Sequence, residues 1–278
     1  MTYRELLKYG IKELDEAGVP NPDVDAWELM EKACSIDRKD YLMAAFDAPL
    51  QEQIESYEKL IAIRKTRKPL QQILGNAGFM GLTFEVNEHV LSPRQDTELL
   101  VEEALKRLSP GMSVLDLCTG SGCVLVSIMR MCRDLKGMGV DISAEALEVA
   151  KRNARKHLIH PRLKQGDLFE PVLGEQFDMI VSNPPYIPTN IIDGLMPEVS
   201  VYEPRRALDG GGDGLDFYSR IASEAPEHLF DEGWLLFEIG VDEKISVETL
   251  LFEQGFSDIH CYKDYSGNDR VVAGQWKG

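Results

Sequence analysis

The feature that most constrains the fold is the run Ser113-Val114-Leu115-Asp116-Leu117-Cys118-Thr119-Gly120-Ser121-Gly122-Cys123, a short apolar strand that breaks into glycines. An apolar stretch, Val124 to Met131, follows and reads as a helix. Strand, tight glycine turn and helix N-terminus together make a cofactor cradle in an α/β domain. The dinucleotide fingerprint needs a third glycine three residues after the second, and Leu125 stands there, which weakens that reading. Asp116, in the approach to the turn, would repel phosphates and pair with an ammonium group, which suits the amino-acid end of S-adenosylmethionine.

Two more strand ends fit the same ligand. Gly139-Val140-Asp141 closes the next apolar strand, where a carboxylate can accept from both ribose hydroxyls. Asp141 serves equally well to open the turn before a helix over Ala144 to Arg155. Gly166-Asp167-Leu168-Phe169 closes a third strand, where Asp167 can accept from an adenine amine and Leu168 or Phe169 can cover the ring. Asp167 is also an ordinary turn residue.

A second motif, Asn183-Pro184-Pro185-Tyr186, follows the apolar run Met179-Ile180-Val181. It sets a side-chain amide and proline-restricted carbonyls at a strand end, a clamp for a planar NH2 group. An amide nitrogen is a poor nucleophile because its lone pair is delocalised. The Asn183 side-chain oxygen and the Pro184 carbonyl can accept its two N–H bonds. Acceptors placed where positive charge develops stabilise the transition state, and Tyr186 offers a ring to the planar group. Alone, the proline pair would only end a strand. Beside the glycine turn, it points to methyl transfer.

Composition narrows the class. With 44% hydrophobic and 28% charged residues, the 278-residue chain is globular and large enough for one ordinary core plus an accessory unit. No apolar run reaches the roughly 18 residues of a membrane span, and the N-terminus lacks a signal-peptide core, so a cytoplasmic protein with no membrane partner is expected. Thirty basic against 47 acidic residues, a net charge of −17, argue against affinity built on phosphate contacts. Long nucleic acid is therefore not an expected partner, and Arg64-Lys65-Thr66-Arg67-Lys68 reads as the solvated end of a helix. The cysteines Cys34, Cys118, Cys123, Cys132 and Cys261 show no metal or disulfide spacing, so reduced thiols and no metal site are expected. His89, His157, His160, His228 and His260 read as surface or packing residues, and Glu102-Glu103 as a solvated helix face.

Residues 1–74 carry helical periodicity, with Leu6, Leu7, Ile11 and Leu14 on one face and Ile54, Tyr57, Leu60 and Ile61 on another. A small helical bundle is predicted there, with a role in reading the substrate. Residues 75–92 read as a β-hairpin linker, and residues 93–278 as the catalytic domain, strands alternating with helices around a mainly parallel sheet. Ile259 to Tyr262 and Arg270 to Ala273 flank a turn, which predicts an antiparallel final pair. Gly210 to Gly214 reads as a flexible loop near the active face, with a lid role open.

The whole chain resembles the release-factor glutamine methyltransferase family, the HemK/PrmC type of class I S-adenosylmethionine-dependent methyltransferases. Beyond the two motifs, the resemblance extends to Pro69 through Gly75, Val90 through Glu98, Tyr202-Glu203-Pro204-Arg205-Arg206-Ala207-Leu208 and Asp269 through Val272. It implies a Rossmann-like, mainly parallel seven-stranded sheet with an antiparallel last strand. It also implies methylation of the glutamine amide in the Gly-Gly-Gln motif of class 1 peptide chain release factors, and a monomer is expected. The cofactor loop then corresponds to Cys118, Thr119, Gly120, Ser121 and Gly122, the ribose carboxylate to Asp141, and the clamp to Asn183, Pro184, Pro185 and Tyr186. Cys118 stands where glycine is common, and Leu168 where an aromatic often covers adenine. Direct in-line displacement needs no covalent intermediate, metal or strong general base. A glutamine methyltransferase acting on a ribosomal protein and an adenine methyltransferase with base flipping are the competing enzymes. A non-catalytic cofactor binder is the competitor outside enzymes.

Overall fold

The structure, a computed structural model, describes residues 1–278 and divides into two compact units. The first comprises Met1–Gly75 and Met196–Tyr202. Its helices are α1 (Tyr3–Glu16), α2 (Pro22–Cys34), α3 (Arg38–Ala44), α4 (Gln51–Lys65) and α5 (Leu70–Leu74). Thr2 and Glu5 form a capping box that starts α1, Pro22 occupies the first turn of α2, and the Asp37 side chain accepts from Asp40 N at the start of α3. Leu6, Leu14, Leu29, Met30, Tyr57 and Ile61 form its dry centre. Gly10 is required there, because a Cβ would lie 1.9 Å from the Tyr57 hydroxyl oxygen, which donates to Ala26 O.

Met196–Tyr202, with the single helical turn α9 (Pro197–Ser200), belongs to this unit and corrects one expectation. α4 does end at the basic run, but Arg64 is buried rather than solvated. Its guanidinium donates to Asp25 at 2.6 Å and Glu198 at 2.9 Å, and Arg67 adds two bonds of 2.6 Å to Glu198.

The second unit comprises Asn76–Leu195 and Glu203–Gly278. It opens with the hairpin β1 (Asn76–Phe79) and β2 (Leu82–Glu85), then α6 (Glu98–Leu105), β3 (Ser113–Leu117), α7 (Cys123–Met131), β4 (Lys136–Asp141), α8 (Ala144–Lys156), β5 (Arg162–Gln165) and β6 (Phe177–Ser182). α10 (Asp216–His228), β7 (Leu229–Glu238), α11 (Lys244–Glu253), β8 (Ser257–Lys263) and β9 (Asp269–Gln275) complete it. The hairpin is part of this unit's core, since Phe79 and Phe84 are buried and Glu85 N donates to Asn153 Oδ1.

Seven strands form one sheet in the order β5-β4-β3-β6-β7-β9-β8. β5, β4, β3, β6 and β7 pair in parallel, and β9 runs antiparallel to both β7 and β8, as the expected class I methyltransferase fold requires. Alternation along each strand splits the core. Leu115, Leu117, Ile180, Leu235 and Phe237 face α10 and α11, whereas Val114, Met179, Val181 and Leu236 face α6 and α7. By the same parity Asp116, Asn183 and Glu238 lie toward the α6 side. Glu103 departs from its predicted solvated face: it is buried, its carboxylate accepting from Lys106 and Arg107.

Candidate active site

Chain order reverses at β3, which has β4 on one side and β6 on the other, and a crevice opens at the carboxyl ends of parallel strands at such a point. A cavity of about 340 Å³ lies there. That volume is within the roughly 300–1,000 Å³ of small-molecule sites. Among the predicted residues, Asp116, Cys118, Thr119, Gly120, Ser121, Asp141, Asp167, Leu168, Asn183 and Pro185 line it. Gly122, Pro184 and Tyr186 are not on its wall. Gly122 is the N-cap of α7, at φ 76°, where a Cβ would press on Ala150. Tyr186 packs on the core and its hydroxyl stays protonated, chiefly through burial.

The glycine turn is held by carboxylates of neighbouring strands. Asp141 Oδ2 accepts from Gly120 N at 2.8 Å and Oδ1 from Ser143 N at 2.9 Å, which leaves further lone pairs on both oxygens for a ligand. Burial nevertheless raises its pKa against these bonds. Asp116 Oδ2 accepts from the Thr119 hydroxyl at 2.6 Å. Burial, opposed by that bond, pushes the Asp116 carboxyl up to about 7. A bound cation would restore its ionisation. Cys118 adopts φ 61°, the left-handed conformation for which glycine is the usual residue, and its thiol is held protonated by burial.

The two candidates for covering an adenine ring stand in different places. Leu168 lines the cavity, whereas Phe169 is fully buried and stacks on His228 with centroids 4.5 Å apart. Asp167 is shared with Arg220, whose Nη2 donates to Oδ2 at 2.7 Å.

At the clamp, Asn183 Nδ2 donates to the Thr97 hydroxyl at 3.3 Å, and both side chains act to lower the pKa of the neighbouring Glu238 carboxyl. With Nδ2 bonded to Thr97, Asn183 Oδ1 has no partner within the protein, and the residue lines the cavity. Thr97, Arg94, Arg206 and Phe217 also line the cavity. Arg94 Nη2 donates to buried Glu203 at 2.6 Å, tying the residues before α6 to those after α9. Thr97, Arg94 and Arg206 fall inside segments that carried the family resemblance, but no chemistry had been attached to them. Glu238 was missed although it ends an apolar strand, the signal that singled out Asp141. Gly210–Gly214 is not a free loop: Gly210 N donates to Ile187 O and Thr189 N to Gly211 O, fastening it beside the clamp.

A family model described as PrmC N-terminal domain matches residues 5–75, and one described as methyltransferase small domain matches residues 94–215. The release factor glutamine methyltransferase of Geobacter sulfurreducens is 44% identical over 275 residues, 99% of this chain and 96% of that one. Its namesake in Caulobacter vibrioides is 40% identical over 265 residues, 94% of this chain and 92% of that one. Among solved structures, a methyltransferase from Pyrococcus furiosus has a TM-score of 0.55 at 21% identity, covering 80% of this chain and 98% of that one, a likeness of fold.

Proposed function

The chain belongs to the release factor glutamine methyltransferase family, and on that premise we propose that it transfers a methyl group from S-adenosylmethionine to the side-chain amide nitrogen of the glutamine in the Gly-Gly-Gln motif of class 1 peptide chain release factors. The observation that carries this reading is the orientation of Asn183. Its NH2 donates to Thr97, which leaves its oxygen without a protein partner on a residue that lines the same cavity as the glycine turn and Asp141.

The cavity's donor set fits the cofactor. Asp116 offers a carboxylate to an ammonium group, Asp141 has lone pairs for ribose hydroxyls, and Leu168 supplies an apolar wall beside Asp167. When bound, S-adenosylmethionine supplies an electrophilic methyl carbon on a sulfonium. Asn183 Oδ1 accepts one N–H bond of the amide, and the Pro184 carbonyl, which stands just off the cavity wall, is the acceptor that the motif supplies for the other. That orients the nitrogen toward the methyl group and stabilises the positive charge it gains during attack. The proton left on nitrogen after transfer is strongly acidic and needs no strong base.

Residues 1–74 are assigned to reading the protein substrate. No helix is long and apolar enough to cross a membrane. The acidic balance of the chain favours a protein substrate over long nucleic acid. Action as a monomer in the cytoplasm completes the reading.

The test is transfer of labelled methyl from S-adenosylmethionine to purified release factor, beside its Gln→Ala variant, DNA and a ribosomal-protein candidate. Label on the intact release factor alone is expected. Label on DNA or the ribosomal protein instead would overturn the substrate assignment.

A further inference from the structure

Two buried side chains outside the predicted set stand behind the clamp. Ser182 of β6 is level with Phe237 of β7, so the next residues, Asn183 and Glu238, are neighbours at the ends of parallel strands. Glu238 is 2% exposed and Thr97 3% exposed. Thr97 sits immediately before α6, its hydroxyl 3.3 Å from Asn183 Nδ2, and it acts to lower the pKa of the Glu238 carboxyl. Glu238 Oε2 is buried without a hydrogen-bond partner, an arrangement that costs stability and is rare unless it serves a purpose.

We infer that Thr97 and Glu238 are positioning residues that set which end of the Asn183 amide faces the substrate. An ionised Glu238 accepts from the Thr97 hydroxyl, the Thr97 oxygen accepts from Asn183 Nδ2, and Asn183 Oδ1 is turned toward the amide nitrogen to be methylated. Protonation of Glu238 reverses the chain. Its O–H then donates to Thr97, the Thr97 hydrogen turns to Asn183, and the Asn183 oxygen is drawn inward. Two N–H donors, one from Asn183 and one from the substrate, are then opposed and the clamp fails. This inference rests on the proposed function and deepens it.

The surroundings allow Glu238 to act as this switch. Burial is the largest influence on it, and Thr97, the Arg270 guanidinium and Asn183 oppose burial while Asp96 adds to it, leaving the carboxyl at about 7. Arg270, from β9, is itself shared with Asp264 at 3.3 Å and Asp96 at 3.5 Å, so it does not neutralise Glu238 outright. The other groups near it stay protonated at neutral pH, chiefly through burial: Tyr186 and Tyr218 are raised above their usual range and Cys123 is pushed to about 12.

The test compares the wild-type chain with Glu238→Gln, Thr97→Val and Thr97→Ser at saturating cofactor, measuring kcat and KM for release factor from about pH 5.5 to about 9. Cofactor affinity is read by calorimetry over the same range. Saturation separates Glu238 from Asp116, whose titration enters through cofactor affinity. Wild-type kcat is expected to rise through about pH 7. Glu238→Gln, which puts a donor against Thr97, should lose on the order of 10²-fold in kcat and flatten the profile. Thr97→Val should lose a comparable factor, and Thr97→Ser should recover most of it, with cofactor affinity unchanged in all three. Wild-type kcat and pH profile in Glu238→Gln, or no recovery in Thr97→Ser, would overturn the inference while leaving the methyltransferase reading intact. Absence of transfer by the wild-type chain would overturn that reading and this one with it.

Discussion

Each unit of this protein buries a cluster of carboxylates, and the two clusters differ in how completely they are paired. In the N-terminal unit, Asp25 and Glu198 share Arg64, and Glu198 also holds Arg67 in a two-bond fork. Burial raises the Asp25 pKa against that pairing, while for Glu198 burial is outweighed by Arg67, its own backbone and Arg64, so its pKa falls. In the C-terminal unit, Glu238 keeps one oxygen without a partner and titrates near neutrality, and Asp116 behaves similarly with one bond to Thr119. Paired buried charge holds a structure in place because removing one partner leaves the other buried and uncompensated. Unsaturated buried charge costs stability and is kept where a ligand or substrate completes it.

The largest break in this contrast is Arg64→Ala. It leaves Asp25 and Glu198 buried without their shared cation and should destabilise the chain by about 3–5 kcal/mol. Urea unfolding measures it, and a midpoint close to wild type would remove the network from the list of structural anchors. Asn183→Ala comes next, losing on the order of 10²-fold or more in turnover, about 3 kcal/mol, with no comparable change in melting temperature. A near-normal rate would dismiss the clamp.

Glu238→Gln sharpens the comparison through stability. The folded carboxyl titrates at about 7. The unfolded value is about 4.3, so the folded state holds the proton longer and its advantage, complete below about 4.3, is lost as pH rises through about 7. Glutamine has nothing to lose over that window. The variant should therefore gain over wild type as pH rises, on the order of 2 kcal/mol by pH 8, and melting curves at pH 5 and pH 8 that shift equally would refute the orphaned charge.

Asp141→Ala should weaken S-adenosylmethionine binding about tenfold, near 1.4 kcal/mol, by removing ribose acceptors and the anchor on Gly120 N. Unchanged calorimetric affinity would take Asp141 out of the site. Arg152→Ala is the control: its ion pair with Glu85 is 45% and 44% exposed. The change in unfolding energy should stay within about 0.5 kcal/mol, and a larger loss would mean surface pairs matter here as much as buried ones.

Much of the site was legible in sequence because it stands at strand ends. Apolar runs followed by glycine, aspartate or Asn-Pro located the crevice walls at Asp116, Asp141, Asp167 and Asn183 without knowledge of strand order. Phe169 could not be separated from Leu168 by sequence. Leu168 at φ 49° turns the chain, so one side chain meets the cavity and the next enters the core. Glu103 and Arg64 were misread because a charged helical residue looks solvated until its partners are known, and Asp25 and Glu198 are 39 and 134 residues from Arg64 along the chain.

The sequence by itself determined the alternation of strands and helices, the glycine turn and the Asn-Pro-Pro-Tyr motif at a strand end, because each is encoded by residues within a few positions of one another. Only the tertiary structure decided that β6 and β7 lie side by side and that Thr97 reaches them from 86 positions away. It thereby decided which side chains stand behind the Asn183 amide. Hydrogen-bond direction depends on what stands opposite, and strand pairing, which is non-local, supplies that.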